Sequence, residues 1–476
     1  MTVSSIQLWL TVLVLVLAPL FFGSVDLFWI VVWTILLSAG TLSGVVTPMN
    51  TAQSRLLLGF LALCGIYALV AVIQIIPGLF EQFNDPIWQR ANEILGLDLS
   101  PRISSRADIP PVVIGHFLLF TTAVVSGFCL GTSQRNFELI VRFAQYSILV
   151  YAIYGLAALV LTPNMVLWAP KVAYRGSLTA TFINRNTAAT FVGAGVILWS
   201  CSAYSSIQSL KVFSLRLLLL SPLNEDLAFK IIIRSAAALT CFFALLMTGS
   251  RAGLICSCLG LAVAITLMVG YKRKAGFWFV ALTGSAAIAL VVVLLSRMGQ
   301  IITRGLLDEA RWSVYQICVE AVRQRPFLGA GAGGFTDLFP SLRASHLSGG
   351  GVWDYAHSTI LEIAVEMGVP VAAMVFVAAL ASIFVLARAA YVSKNSSRNS
   401  LAAIAGILVL SYLHSIVDFS LQIPGYFIMF AILLGCGLAR ACSASRSEQR
   451  RLASSVDWSA DASRQREEAN YARLSK

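Results

Sequence analysis

Charge is scarce in this chain. Only 12% of its 476 residues are Asp, Glu, Lys or Arg, while 58% are hydrophobic and the mean hydropathy is +0.82. A soluble domain has about twice that charged fraction, so a soluble fold is excluded. Apolar runs of roughly 17 to 25 residues, the length of a membrane-spanning helix, recur from end to end. The composition therefore predicts an all-α polytopic membrane protein.

The absence of metal-ligand motifs, of a disulfide framework and of a folded basic module limits the functions that the chain can have. The sequence has no Asp-x-Asp pair and no cluster with metal-ligand spacing, so we expect no metal and no other cofactor. The nine cysteines are an odd number and nearly all fall within apolar runs, so no disulfide framework is expected. No folded basic module accompanies the net charge of +12, which excludes nucleic acid as a partner and leaves membrane lipids.

The apolar runs predict about twelve transmembrane helices. They lie near residues 6–22, 27–45, 54–76, 111–131, 137–161, 182–204, 231–248, 252–271, 275–296, 357–387, 400–420 and 424–440. Lys and Arg are concentrated in alternate connections, so both termini are predicted to be cytoplasmic. The predicted organisation has four parts: spans one to nine in 1–296, with outer loops 77–110 and 162–181; a large helical periplasmic loop, 297–356; spans ten to twelve in 357–442; and a disordered basic tail, 443–476.

The first candidate functional residues precede the sixth span. Arg175, Asn184, Arg185 and Asn186 lie within a dozen residues at an outer helix start. Arginine presents a planar fork of donors that matches phosphate oxygens, and a helix N-terminus adds amide donors for an anion. The segment is therefore a candidate phosphate site. The alternative is a positively charged collar that contacts lipid headgroups.

Three further arginines are candidates for the same chemistry. Arg251 lies in a short outer connection, 248–253, where a positive charge opposes the positive-inside bias. Sinking it toward the membrane centre would cost about 2.5 to 3.5 kcal/mol. A lipid diphosphate would compensate that cost, and contact with headgroups is the alternative. Arg304 and Arg311 are two turns apart if helical, so both could face one anion.

The fourth candidate group begins at His357, where the long loop re-enters the membrane. A neutral imidazole accepts a proton from a sugar hydroxyl, and Glu362 is a candidate partner to orient the ring. A helix-capping histidine is the alternative. His414 and Asp418 are one turn apart near the outer end of the eleventh span and are spaced to hydrogen-bond each other. Structural and functional roles remain open for that pair.

The long loop also contains a predicted amphipathic helix that lies along the membrane face. Four residues recur at helical spacing on its apolar face: Trp312, Tyr315, Val319 and Val322. Pro326 is expected to end the helix. Residues 329–334 (Gly-Ala-Gly-Ala-Gly-Gly) are interpreted as a hinge or tight turn, because no strand precedes them as in a nucleotide loop. Arg323 and Arg325 are expected to pair with Glu320 or solvent.

Together these segments resemble the O-antigen ligase and polymerase superfamily of bacterial membrane glycosyltransferases. The resemblance rests on four motifs: Arg175-Gly-x5-Phe182-x-Asn184-x-Asn186, Ser250-Arg251-Ala-Gly, Arg311-Trp-x13-Pro326-x2-Gly329-x-Gly331 and His357-x10-Gly368. Their order and placement agree over roughly residues 170–425. Two positions depart from the pattern. Arg185 stands where relatives often have proline, and an arginine-x3-leucine pattern of some ligases occurs only as Arg251-x2-Leu254.

The resemblance implies a GT-C-like fold and a metal-independent, inverting transfer at the periplasmic face of the inner membrane. The donor would be a glycan on undecaprenyl diphosphate. The acceptor would be a lipid A–core sugar in a ligase, or a second lipid-linked glycan in a polymerase. His357 would then be the catalytic base, with Arg175, Arg251 and Arg311 stabilising the leaving diphosphate. The implied substrate-binding residues are Asn184, Arg185, Asn186, Arg304, Glu362, His414 and Asp418.

Alternatives from other classes remain. The single large loop and the histidine motif favour a ligase over a polymerase, although both use the same donor chemistry. A flippase or other transporter shares the span count, but it would need charged residues near mid-membrane, whereas these candidates cluster at the outer edge. A non-catalytic scaffold is the least favoured alternative, because it would not explain why so many arginines on the outer side accompany one histidine.

Overall fold

The structure is a computed structural model that describes residues 3–44, 48–209, 225–269, 309–343, 353–393 and 397–443. These residues form fifteen α-helices, α1–α15, and one antiparallel pair of two-residue strands. The helices, in chain order, are Val3–Leu17, Leu27–Gly44, Thr51–Ile75, Pro86–Leu95, Pro111–Gly131, Gln134–Leu161, Arg185–Gln208, Glu225–Met247, Arg251–Val269, Glu309–Gln324, Phe335–Leu342, Thr359–Met367, Val369–Val392, Ser397–His414 and Pro424–Ser443. The strands are β1 (Met165–Val166) and β2 (Ala169–Pro170), which lie between α6 and α7.

The predicted all-α polytopic membrane fold is confirmed. Within the described residues, eight helices are long and apolar enough to cross a membrane: α3, α5, α6, α7, α8, α9, α13 and α15. α1 and α2 are shorter apolar helices, and α14 is an 18-residue helix at the predicted eleventh span. The predicted span 275–296 and the tail 443–476 lie outside the described residues, apart from Ser443 at the end of α15.

Polar side chains of the helices lie inside the bundle and apolar helix surfaces lie outside, as is usual in membrane proteins. α7 and α15 are mostly buried, and α7 carries Asn186, Thr187 and Thr190 on its inner surface. α3, by contrast, is strongly apolar and has few buried residues. Because lipid is as apolar as a leucine side chain, apolar faces can point outward while polar groups find partners inside. α7, α14 and α15 therefore form the centre, and α3, α8 and α13 the periphery.

Glycines allow the central helices to approach closely. A Cβ atom added at Gly127 of α5 would lie 2.2 Å from the carbonyl oxygen of Ile432 in α15. A Cβ at Gly260 of α9 would likewise lie 2.4 Å from the Gly406 carbonyl oxygen of α14. Small residues at such crossings permit backbone contact that drives packing in lipid.

We expect Gly127→Ala to destabilise the bundle by roughly 1–3 kcal/mol, because the added methyl group must displace the α15 backbone. Gly59→Ala in α3 is the matched control, since a Cβ there would meet nothing within 4 Å. The check is the fraction of detergent-solubilised protein that stays monodisperse after heating. Equal loss in both variants, or none in Gly127→Ala, would contradict the packing described above.

The predicted tenth span, 357–387, is wrong as a single helix. The chain breaks at Gly368, whose φ is +84° and whose Cβ position is 2.2 Å from the Phe327 carbonyl oxygen. The Val369 amide donates to the Pro326 carbonyl oxygen at 2.8 Å. The helix long and apolar enough to cross a membrane is therefore α13, whereas α12 is a separate nine-residue helix. Hydropathy alone could not predict the break at Gly368, because α12 is apolar as well. Its apolar side chains pack against α10.

The predicted amphipathic helix is present as α10, and Pro326 lies just after its end. The face that is buried against the protein lies beside the apolar face that was predicted to follow the membrane. Val314, Cys318 and Ala321 are buried against α11 and α12, whereas Trp312 and Val319 are exposed. The helix thus packs through smaller side chains one position away from the predicted aromatic stripe. The helices α10, α11 and α12 and the loops beside them pack together. We call them the extramembrane layer, because none of the three helices is long enough to be a candidate membrane span.

The Gly329–Gly334 segment forms a tight turn, which is one of the two structures predicted for it. Its amides face the end of α12: Gly331 N donates to the Glu366 carbonyl oxygen at 3.0 Å. The expectation for Arg325 is wrong, because its guanidinium forms an ion pair with the buried Asp85 at the start of α4. Arg323 pairs with Glu320 at 3.7 Å, as expected.

Candidate functional site

The buried carboxylate of Asp418 is the centre of a polar cluster. Its Oδ2 atom accepts a hydrogen bond from Asn186 Nδ2 at 2.5 Å, and Arg311 Nη2 lies 3.5 Å away. His357 Nδ1 lies 3.7 Å from the same oxygen. Asp418 Oδ1 accepts from the Phe419 amide at 2.8 Å. Four segments that are distant in sequence thus converge on one carboxylate; we call these four side chains the Asp418 cluster: Asn186, Arg311, His357 and Asp418.

Helix ends bring these residues together. Asn184 caps α7 by accepting from the Asn186 amide at 2.8 Å, which fixes the first turn that carries Asn186. Ser250 precedes α9, and its hydroxyl donates to Asn186 Oδ1 at 2.8 Å. The same hydroxyl accepts from the Gly253 amide at 3.2 Å. Arg251, the first residue of α9, follows Ser250 directly in the chain.

Arg311 ties the extramembrane layer to the bundle. It lies in the first turn of α10, and its Nη1 donates to the Val417 carbonyl oxygen at 3.0 Å. The Thr359 amide at the start of α12 donates to the Ser415 carbonyl oxygen at 2.8 Å. Both contacts hold the segment between α14 and α15, which contains Asp418. A charge-assisted contact of this kind is stronger than a neutral one and fixes orientation.

The backbone of His357 is strained. Its φ is +54°, a left-handed conformation that residues other than glycine rarely adopt. The Tyr315 hydroxyl donates to the His357 carbonyl oxygen at 2.9 Å. Such strain persists only where the surroundings enforce it, and it occurs preferentially at functional sites. The Nδ1 atom is buried, although 17% of the side chain is exposed.

Aromatic rings flank the imidazole. The rings of Trp353 and Phe419 lie edge-on to it, with centroids 5.3 Å and 4.8 Å from the imidazole centroid. Tyr355 stacks on Phe419 at 4.4 Å. The partly exposed histidine therefore lies between apolar ring surfaces on one side and the Asp418 carboxylate on the other. Ligand sites commonly combine apolar walls with a few oriented polar groups in this way.

Electrostatics keep Asp418 ionised. Burial by itself would raise the pKa of this carboxyl. The contact with His357 and the electrostatic interactions with His414, His357 and Arg311 outweigh burial, so the pKa is lowered below its usual value. An anion is therefore available beside the imidazole, where it would stabilise the imidazolium form.

Glu362 has contacts other than the predicted one. Its Oε2 accepts from the Ala356 amide at 2.7 Å, and its Oε1 accepts from Gln422 Nε2 at 3.0 Å. It thus holds the backbone beside His357, while the carboxylate in contact with the ring is that of Asp418. Burial raises the pKa of Glu362, and the nearby Glu366 charge adds to that rise. Burial also raises the pKa of Glu366, to about 7.

The predicted hydrogen bond between His414 and Asp418 is wrong. His414 Nδ1 lies 2.8 Å from Thr190 Oγ1 and 3.1 Å from Ser420 Oγ. α14 ends at His414, so the helical spacing on which the prediction relied does not extend to Asp418. His414 is fully buried and supports the segment behind the Asp418 cluster.

The remaining predicted residues lie around the cluster. Arg185 places its guanidinium over the Tyr174 ring, 5.2 Å from the centroid, and close to Gly249. Arg175 is exposed, and its Nε donates to the Lys171 carbonyl oxygen at 3.3 Å. The structure does not bring Arg175 into contact with the Asp418 cluster. Arg304 lies outside the described residues.

Sequence reasoning missed several residues of the site. Ser250, Thr190, Ser420, Gln422 and Phe419 all contact predicted residues. Ser250 could have been found, because it belongs to the Ser-Arg-Ala-Gly motif and its hydroxyl suits a helix cap. Small hydroxyl residues within apolar spans carry no signal of their own, since most of them bond to the preceding turn of their helix.

Comparison with known proteins gives one finding. Residues 236–377 match the family model Wzy_C, described as O-antigen ligase. The matched range contains Arg251, Arg311 and His357 and excludes Asn186 and Asp418. No curated protein matches the chain.

Proposed function

From the premise that the chain belongs to the O-antigen ligase superfamily, we propose that it transfers a glycan from undecaprenyl diphosphate to a sugar hydroxyl of lipid A–core. The reaction would take place at the periplasmic face of the bacterial inner membrane, with both termini in the cytoplasm. The observation that carries the proposal is the convergence of His357, Arg311 and Asn186 on Asp418. Ser250, the residue before Arg251, is hydrogen-bonded to Asn186.

His357 is the proposed general base. Its Nδ1 faces Asp418, so its Nε2 would accept the proton of the acceptor hydroxyl. The hydroxyl oxygen forms the new bond to the anomeric carbon while the bond from that carbon to the diphosphate oxygen breaks. The electron pair leaves with the diphosphate. Asp418 orients the ring and stabilises the positive charge that it gains, as a buried carboxylate does in other catalytic pairs.

The arginines are the proposed diphosphate site. Arg251 at the start of α9, Arg175 in the loop before α7 and Arg311 would stabilise the negative charge that grows on the leaving group. Arg311 has a second task, because it also holds the Val417–Asp418 segment. Asn184, Arg185 and Asn186 at the start of α7 would bind the donor near this site, together with Arg304.

The aromatic rings beside His357 support a sugar acceptor. Trp353, Tyr355 and Phe419 present partly exposed apolar surfaces next to the proposed base. A pyranose ring has an apolar C–H face that fits such surfaces, while its hydroxyl would reach Nε2 of His357. Polymerase activity, in which a second lipid-linked glycan is the acceptor, would use the same geometry.

One assay tests the proposal and separates these acceptors. Purified protein in detergent is incubated with an undecaprenyl-diphosphate glycan, with either lipid A–core or additional donor. Formation of glycosylated lipid A–core with release of undecaprenyl diphosphate is the expected result. Elongated donor in place of that product would identify a polymerase. Failure to consume the donor with either acceptor, in protein that remains folded, would contradict the transferase assignment.

We expect Arg251→Lys to lower transfer by roughly 10- to 100-fold, because a single ammonium group cannot reproduce the planar fork that binds a diphosphate. Arg55→Lys is the matched control, since Arg55 is exposed near the start of α3 and lies outside the cluster. Initial rates at saturating acceptor provide the measurement. Full activity in Arg251→Lys would show that Arg251 only anchors the chain at lipid headgroups.

A further inference from the structure

A second polar site lies at the opposite end of the bundle from the Asp418 cluster. It is a cavity of about 480 Å³ between α6, α7, α8 and α14. It contacts the last turns of α7 and the first turns of α14, whereas the Asp418 cluster adjoins the other ends of these two helices. The side chains that line it include the hydrogen-bond donors Arg142, Gln145, Ser202, Lys230, Arg234 and Asn399.

The walls of this cavity are ordered by hydrogen bonds. Arg234 Nη1 donates to the Ser202 carbonyl oxygen at 3.1 Å and to Ser206 Oγ at 2.6 Å. Gln145 Nε2 donates to Ser202 Oγ at 2.6 Å, which joins α6 to α7. Asn399 Nδ2 of α14 donates to Ser205 Oγ at 2.8 Å. These bonds hold the guanidinium of Arg234 in a fixed position at the cavity wall.

The cavity has an excess of positive charge. Its single lining carboxylate, Glu138, lies 3.8 Å from Arg142, so these two charges compensate each other. Among the described residues, no carboxylate lies within ion-pair distance of Lys230 or Arg234. The guanidinium of Arg234, the ammonium group of Lys230 and neutral hydroxyl and amide donors therefore line this cavity. That donor set fits the oxygens of a phosphate ester.

Apolar surfaces lead from the cavity toward the membrane centre. On α6, Tyr146 lines the cavity, and Val150 and Ile153 follow with 63% and 52% of their surfaces exposed. On α8, Leu239 and Phe243 follow Arg234 in the same direction, 59% and 57% exposed. A soluble phosphate ester would leave these apolar surfaces uncovered. Acyl chains attached to a headgroup in the cavity would cover them.

We propose that this cavity binds the phosphate headgroup of an anionic phospholipid in the leaflet opposite the Asp418 cluster. Basic pockets between membrane helices on the cytoplasmic side bind such headgroups, and each nearby Lys or Arg contributes about 1 kcal/mol. Lys230 and Arg234 supply the charge, and the exposed faces of α6 and α8 receive the acyl chains. The site is independent of the transferase chemistry.

The test is lipid retention by purified, delipidated protein in native mass spectrometry. Phosphatidylglycerol and phosphatidylcholine are titrated onto the wild type, Arg234→Gln, Lys230→Gln and the control Arg55→Gln. We expect the wild type and Arg55→Gln to retain phosphatidylglycerol in preference to phosphatidylcholine. Arg234→Gln and Lys230→Gln should each bind phosphatidylglycerol about fivefold more weakly. Lys230 has an exposed side chain, so its variant keeps the test valid if Arg234→Gln fails to fold.

Three results would overturn the proposal. Equal retention of the two lipids by the wild type would show that the charge is not recognised. Equal affinity for phosphatidylglycerol in all four proteins would exclude Lys230 and Arg234 from the site. Complete displacement of the lipid by micromolar glycerol 1-phosphate would identify a soluble phosphate ester, and not a lipid, as the ligand.

Discussion

Replacing His357 with alanine is expected to lower glycan transfer by about 10²- to 10⁴-fold, the usual contribution of a positioned general base. The substitution removes the only described imidazole that contacts both Asp418 and the exposed aromatic surface. Because the other members of the Asp418 cluster remain, donor binding should persist. The expected result is therefore a loss of kcat with little change in the KM for the donor.

A matched histidine separates catalysis from structure in this experiment. His116 lies in α5, edge-on to Phe427 at 5.7 Å and outside the Asp418 cluster. His116→Ala should reach the same membrane abundance as His357→Ala and retain transfer. Activity in His357→Ala near that of the wild type would remove its assigned role, and so would an equal loss in both variants.

Replacing Asp418 with asparagine is expected to have the second largest effect, a fall in transfer of about 10²- to 10³-fold. Asparagine keeps the shape of the side chain but loses the charge that stabilises the imidazolium and fixes the ring. It also removes an anion that lies 3.5 Å from the Arg311 guanidinium. A buried charge that loses its partner is costly, so some loss of thermal stability should accompany the loss of activity.

The control for this variant removes a carboxylate from a different ion pair. Asp337 lies 2.6 Å from Arg106 in the extramembrane layer, and both side chains are substantially exposed. Asp337→Asn should change stability by less than about 1 kcal/mol and leave transfer unchanged, because exposed ion pairs contribute little. Transfer by Asp418→Asn at the rate of Asp337→Asn would show that the buried carboxylate is dispensable.

Periodicity and composition predicted most of the membrane helices but not their interruptions. The apolar run from residue 357 onward includes both α12 and α13, and hydropathy cannot distinguish an apolar helix that packs on protein from one in lipid. The break requires Gly368, whose left-handed backbone fits against the Phe327 carbonyl group. That contact joins segments forty residues apart, and such pairings are not encoded in local pattern.

In the candidate site, too, local sequence predicted the residues better than their contacts with distant segments. Motifs indicated His357, Arg311, Asn186 and Arg251 as candidate functional residues, since charged and polar residues at helix ends in a membrane are costly without a compensating role. The partner of His357 was predicted from sequence proximity as Glu362. His357 lies before α12 begins, so helical spacing does not apply to it, and the ring meets Asp418 about sixty residues later.

The position of the cluster also bears on the transporter alternative. Asn186 lies in the first turn of α7, Arg311 in the first turn of α10, and Asp418 beyond the end of α14. Substrate sites of secondary transporters lie near the bilayer midplane, between interrupted helices. Polar and charged groups at helix ends favour chemistry on a headgroup at the membrane surface instead.

A double-mutant cycle tests whether His357 and Asp418 act as one catalytic unit. Transfer rates are measured for the wild type, His357→Ala, Asp418→Asn and the double variant, all purified and matched for folded protein. If Asp418 acts through the imidazole, the double variant should transfer glycan at the rate of His357→Ala alone, within about threefold. Multiplication of the two single losses in the double variant would show that the residues act independently, and the proposed mechanism would be wrong.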